Sequence, residues 1–175
     1  MVRSLSALLL LVICFGTCCS QAPEGKKLID EINAAKVKAR HLGEEAEVKR
    51  KEAREKDRSD DHSEHDRLIE EAAKLYGQVA DALSEAANKA KELAKLRNPS
   101  WYEEYFGLQA NLIGNLAQLA AGAKEELLVR KNGVPSESQM QSWKDNLLRI
   151  REENEKYRKQ IMAIESRQGV VLIKE

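Results

Sequence analysis

The chain has 175 residues, 29 of them Lys or Arg and 29 Asp or Glu, so it is formally neutral; 33% is charged, 5% is aromatic, and it holds nine Gly and three Pro. A chain with no net sign lacks the global basic field that attracts nucleic acid, so no nucleic-acid partner is expected. So few Gly and Pro exclude a turn-rich all-β fold or a low-complexity linker, and the abundance of Ala, Leu, Glu, Lys, Arg and Gln predicts long helices.

Residues 1–20 read as a secretory signal. Arg3 supplies the positive start, Leu8 to Phe15 is an unbroken apolar run, and Gly16, Thr17, Cys18, Cys19 and Ser20 are small. Cleavage after Ser20 would expose Gln21-Ala22-Pro23. The apolar run is well short of the roughly 20 residues a spanning helix needs, so the chain is not expected to span a membrane. Cys14, Cys18 and Cys19 all lie inside this signal, so residues 21–175 contain no cysteine. The expectation is a secreted, extracellular single domain held by core burial without disulfides.

Four amphipathic segments follow. In the first, Leu28, Ile32, Ala35, Ala39, Leu42 and Ala46 recur at helical spacing and form a narrow, Ala-rich stripe. The stripe fades into a charged connector, Glu47 to Arg67, in which 15 of 21 residues are charged. The connector is either a solvated helix extension or a linker; without Pro or Gly, a helix reaching about Arg58 is preferred. The second segment, about Glu64 to Arg97, carries Leu68, Ala72, Leu75, Val79, Ala82, Ala86, Leu93 and Leu96, with Lys89 interrupting the stripe. Ser63 and Asp66 suggest its capping box. Asn98-Pro99 then breaks the chain, because the residue before proline avoids helical geometry. Ser100 with Glu103 suggests a capping box for the next helix.

The third segment, Trp101 to Arg130, is the most apolar: Tyr105 to Ala123 is 19 residues without a charge. It should lie centrally, and Gly107, Gly114 and Gly122 should let a neighbour approach closely. Gly133 and Pro135 mark the clearest turn, and Ser136 with Gln139 forms a capping box. The fourth stripe, Met140, Trp143, Leu147, Ile150, Asn154, Tyr157, Ile161 and Ile164, keeps a 3–4 spacing throughout. That is a heptad seam with one polar residue, Asn154, to set register. The seam could pair within the chain or between copies, as a homo-oligomer through residues 140–164. Gly169 should end the helix, leaving an apolar tail at 169–175. The predicted fold is all-α: an elongated antiparallel bundle of about four long helices with coiled-coil-like packing.

Candidate sites are few. Trp101, Tyr102, Tyr105 and Phe106 place four of the seven aromatics of residues 21–175 within six positions. Consecutive residues cannot all face one core, so this group is either an end-plug or a contact surface. Trp101, Tyr102 and Phe106, with Val171 and Ile173 of the tail, are the candidate protein contacts. The tail itself either packs back on the bundle or docks on a partner. His62 and His65, three apart, could face one way and hold Zn²⁺ or Cu²⁺ with a carboxylate. Their alternative is a solvated connector, and the spacing is one residue short of the metalloprotease His-Glu-x-x-His pattern. No nucleophile elbow, phosphate loop or dinucleotide fingerprint occurs, so neither enzymatic activity nor a cofactor is expected.

The functional expectation is a secreted, non-enzymatic protein acting by protein–protein contact. The alternatives are a carrier of lipid or a small apolar ligand, and an extracellular divalent-metal binder at His62 and His65. In size and composition, this cysteine-free chain of amphipathic helices resembles the insect exchangeable apolipoproteins of the apolipophorin III type. That resemblance implies a bundle that opens onto lipid; the uniformly apolar third segment and the strict heptad of the fourth favour one that stays closed. The signal ending Cys18-Cys19-Ser20 before Gln21-Ala22-Pro23, on a small helical chain, is similar to secreted arthropod proteins, including those of salivary glands. This second resemblance implies a host- or tissue-directed binding factor.

Overall fold

The structure, a computed structural model, describes residues 23–57, 61–96, 100–171 and 173. The expected signal at residues 1–20 and its three cysteines lie outside the described residues, as does the Asn98-Pro99 break. The described residues form four helices and no strand: α1 (Pro23–Asp57), α2 (His62–Lys95), α3 (Ser100–Asn132) and α4 (Glu137–Gln168). Each is 32 to 35 residues long, which at about 1.5 Å per residue gives rods of roughly 50 Å.

Local chemistry sets the ends. α1 starts on Pro23, whose missing N–H costs nothing at a first helical position. α2 begins at His62 and not at Glu64, because Asp61 is its cap: the Asp61 carboxylate accepts from the Glu64 N–H at 3.3 Å. The expected Ser63–Asp66 box therefore falls inside the first turn. Ser100 is the first residue of α3. The box at α4 is present as expected: Ser136 Oγ accepts from the Gln139 N–H at 3.2 Å, and Gln139 Oε1 accepts from the Ser136 N–H at 2.9 Å. Gly169 closes α4 in the left-handed conformation, φ +65°, and its N–H reaches the Glu165 carbonyl at 2.8 Å.

Cross-helix pairs show that chain neighbours run antiparallel. Lys89 meets Glu31 at 2.8 Å, and Lys49 meets Glu71 at 3.5 Å. Lys131 pairs with Glu70, and Asn115 donates to Asn154 at 3.0 Å. The helices pack in chain order, α1 on α2, α2 on α3 and α3 on α4. The larger apolar cluster includes Ile32, Leu93, Tyr105, Phe106, Ile113 and Ile164. A smaller one, built on Ala46, Ala53, Leu68, Ile69, Ala72 and Leu127, fills the end where α1 turns into α2. Alanines on both faces let the α1 and α2 backbones lie close.

The charged connector is mostly helix. Residues 47–57 finish α1, residues 62–67 start α2, and Ala53 is fully buried between them. Its charges pair locally: Arg67 with Glu64 and Glu71, Lys56 with Asp61 at 3.4 Å, and Lys49 with Glu52 at 3.4 Å. Such exposed pairs contribute little, because water and salt screen them, so Ala53 and Leu68, not the charges, hold this end.

The α3–α4 contact departs from expectation in two ways. No neighbouring atom lies within 4 Å of where a Cβ would sit on Gly107, Gly114 or Gly122, so these glycines admit no close approach. The heptad seam is also covered over only part of its length. Ile150, Asn154, Ile161 and Ile164 are buried, whereas residues 137–149 are exposed except for half-buried Trp143. Met140 and Leu147 are 43% and 54% exposed. Asn154 keeps its expected place in the seam, paired with buried Asn115, which also donates to Glu153 at 3.0 Å. That bond is the first cause holding the Glu153 carboxyl below its ordinary value, ahead of the Arg149 contact.

Candidate functional site

The aromatic group at the start of α3 folds inward. Its rings meet edge-to-face, Tyr102 to Phe106 at 5.2 Å and Tyr105 to Phe106 at 5.1 Å between centroids. Tyr105 and Phe106 are completely buried, and Trp101 and Tyr102 are half-buried against the same core. The Tyr105 hydroxyl is a node. It donates to Glu165 Oε1 at 2.9 Å, and it accepts from Gln109 Nε2 at 3.3 Å and from the Ile173 N–H at 3.2 Å. Burial, more than the Glu165 contact, pushes this phenol above its ordinary value.

Two candidate contact residues are thereby corrected. Phe106, at 0% exposure, and Ile173, at 2%, are core and cannot meet a partner without opening the bundle. The tail packs back through Ile173, while Val171 stays exposed. Trp101 and Tyr102 meet edge-to-face, with ring centroids 4.4 Å apart. His62 is exposed, and His65 is half-buried with its Nδ1 3.2 Å from Asp66 Oδ1. Among the described residues, no group of three or more His, Cys, Asp or Glu side chains is placed to hold a metal ion. No described helix is long and apolar enough to cross a membrane.

The feature with ligand-sized geometry lies elsewhere. A groove of about 510 Å³ runs between α1, α2 and α3. Ala39, Val79, Leu83, Leu112, Leu116 and Ala120 give it an apolar floor. Lys36, Arg40 and Arg50 of α1 and Arg158 of α4 line it with cations; Glu47 is the one carboxylate. Glu47 is already engaged, by the Tyr76 hydroxyl and by Arg50 at 3.3 Å. Burial and then the Glu47 contact raise the Tyr76 phenol, so it stays a neutral donor.

A sequence signal for these cations existed. Lys36, Arg40 and Arg158 each directly follow a stripe residue, Ala35, Ala39 and Tyr157. Such flanking positions let a long basic side chain lie along apolar surface with its head in water. A second cleft, about 400 Å³, separates α3 from the outer half of α4, between Leu119, Gly122 and Ala123 on one side and Met140, Trp143 and Leu147 on the other. Comparison with known protein families, curated proteins and solved structures gives no match.

Proposed function

We propose that this chain is a secreted, non-enzymatic binding protein that carries a small amphipathic ligand in the groove between α1, α2 and α3. The observation that carries this reading is the groove's build: an apolar floor from three helices beneath a rim of charged side chains, at a volume ordinary for small-ligand sites. It is a variant of the apolipophorin-like expectation, with the ligand held by the closed bundle and not spread beneath an opened one. Titration with the neutral probe N-phenyl-1-naphthylamine tests it. Fluorescence should rise to saturation at one probe per chain, and Leu116→Trp, which fills the groove from a half-buried position, should weaken binding about tenfold, or 1.4 kcal/mol. A non-saturating signal, or one that Leu116→Trp leaves unchanged, removes the reading.

The outer half of α4 favours a second reading, in which protein contact is made by a second copy of the chain. The seam spacing continues without fault from Ile164 to Met140, but α3 covers it only as far as Ile150. A strict heptad with exposed seam residues is built for another helix, and in an antiparallel pair this seam meets itself. Sedimentation velocity should show a dimer that Leu147→Glu returns to monomer. A chain that sediments as a monomer at every concentration ends this reading.

A further inference from the structure

The whole chain is neutral, yet the groove is lined by four cations and one carboxylate. Glu47 is already engaged by Tyr76 and Arg50. Arg40 and Arg158 make no hydrogen bond or ion pair among the described residues. They come from α1 and α4, two helices that do not approach each other directly. Two guanidinium groups thus line one apolar groove from two helices that do not pack on each other.

We infer that the ligand is a single-chain organic acid, its alkyl chain on the apolar floor and its carboxylate between Arg40 and Arg158; this rests on the groove being the ligand site. The apolar floor gains by covering hydrocarbon. The guanidinium fork pairs with a carboxylate in bidentate geometry, and it does so more strongly beside apolar walls than in open water. A neutral ligand of the same length would shield the guanidinium groups from water and give them no partner. A membrane surface is the wrong shape, since the groove is bounded by helices and sized for one small molecule. The bound carboxylate would also bridge α1 to α4, so the ligand should raise the unfolding temperature as well as bind.

Calorimetric titration of the full mature chain with dodecanoate and with dodecanol, both below micelle-forming concentrations, tests the inference. Dodecanoate should bind at least tenfold more tightly and raise the melting temperature further. Arg40→Gln and Arg158→Gln, both at exposed positions, should each weaken dodecanoate several-fold and leave dodecanol unchanged. Equal affinities for acid and alcohol, or variants that weaken both alike, overturn the carboxylate assignment while the groove reading stands. If neither amphiphile nor the naphthylamine probe binds, the groove reading fails and this inference with it. Arg158-dependent co-sedimentation with phosphatidylglycerol vesicles, without dodecanoate binding, overturns it in favour of a membrane surface.

Discussion

Phe106→Ala is expected to destabilise the fold by about 3–5 kcal/mol, the range for removing a fully buried aromatic side chain. Phe106 has no exposed surface and packs edge-to-face on Tyr102 and Tyr105. The loss has two parts. The apolar area is no longer withdrawn from water, and a cavity remains because α3 is held in place on two sides, by α2 and α4. Against a domain stability of about 5–15 kcal/mol, this single change would consume a large part of the total. Urea unfolding followed by circular dichroism at 222 nm measures it. The same change at half-buried Trp101 should cost less, because part of that ring already meets water. If Phe106→Ala costs no more than Trp101→Ala, the aromatic end is not core, and its role as a protein contact returns.

The helices and several of their ends were legible because their causes are local. Ser136 and Gln139 form their box within one turn, and Gly169 stops α4 by its own backbone freedom. The stripes also showed which face of each helix is apolar. What a stripe does not state is which neighbour covers it, or for how far. Met140 and Leu147 obey the same spacing as Ile161 and Ile164 but lie where α3 and α4 part. Lys89 looked like a fault in the second stripe; it is the partner of Glu31 on α1 and Glu85 on its own helix. Phe106 and Trp101 cannot be told apart by composition, since the difference is their angle around α3. Asp61 won the α2 cap from Ser63 by starting the helix two residues earlier, a choice between two good caps two positions apart. The groove was least legible of all. Its floor draws on three helices, and Arg158 reaches it from a fourth, so no stretch of sequence contains it.

Tyr105→Phe should cost about 1–3 kcal/mol although it removes one oxygen atom, because a buried group left without its partner bears the full desolvation penalty. Three groups converge on that oxygen. Glu165 is half-buried and can take water in its place. The Gln109 amide, buried in the core, and the Ile173 N–H, at the buried end of the tail, cannot. The tail should therefore loosen first, and hydrogen exchange at Ile173 should rise more than exchange in the middle of α2. The same residue sets an alkaline limit. Burial raises the Tyr105 phenol above the ordinary tyrosine value of 10.0 in the folded chain. Below pH 10 the phenol is protonated in both states and its contribution is intact. Above that pH the unfolded chain releases the proton while the folded chain keeps it, so stability falls as pH rises. Tyr76, raised mainly by burial, and Lys89, raised mainly by its bond to Glu31, act in the same direction and remain in the variant. Tyr105→Phe should thus start less stable at neutral pH and lose stability less steeply above pH 10. A variant with the parent's stability and the parent's alkaline slope would show that the hydroxyl is hydrated and that the tail is held by Ile173 packing alone.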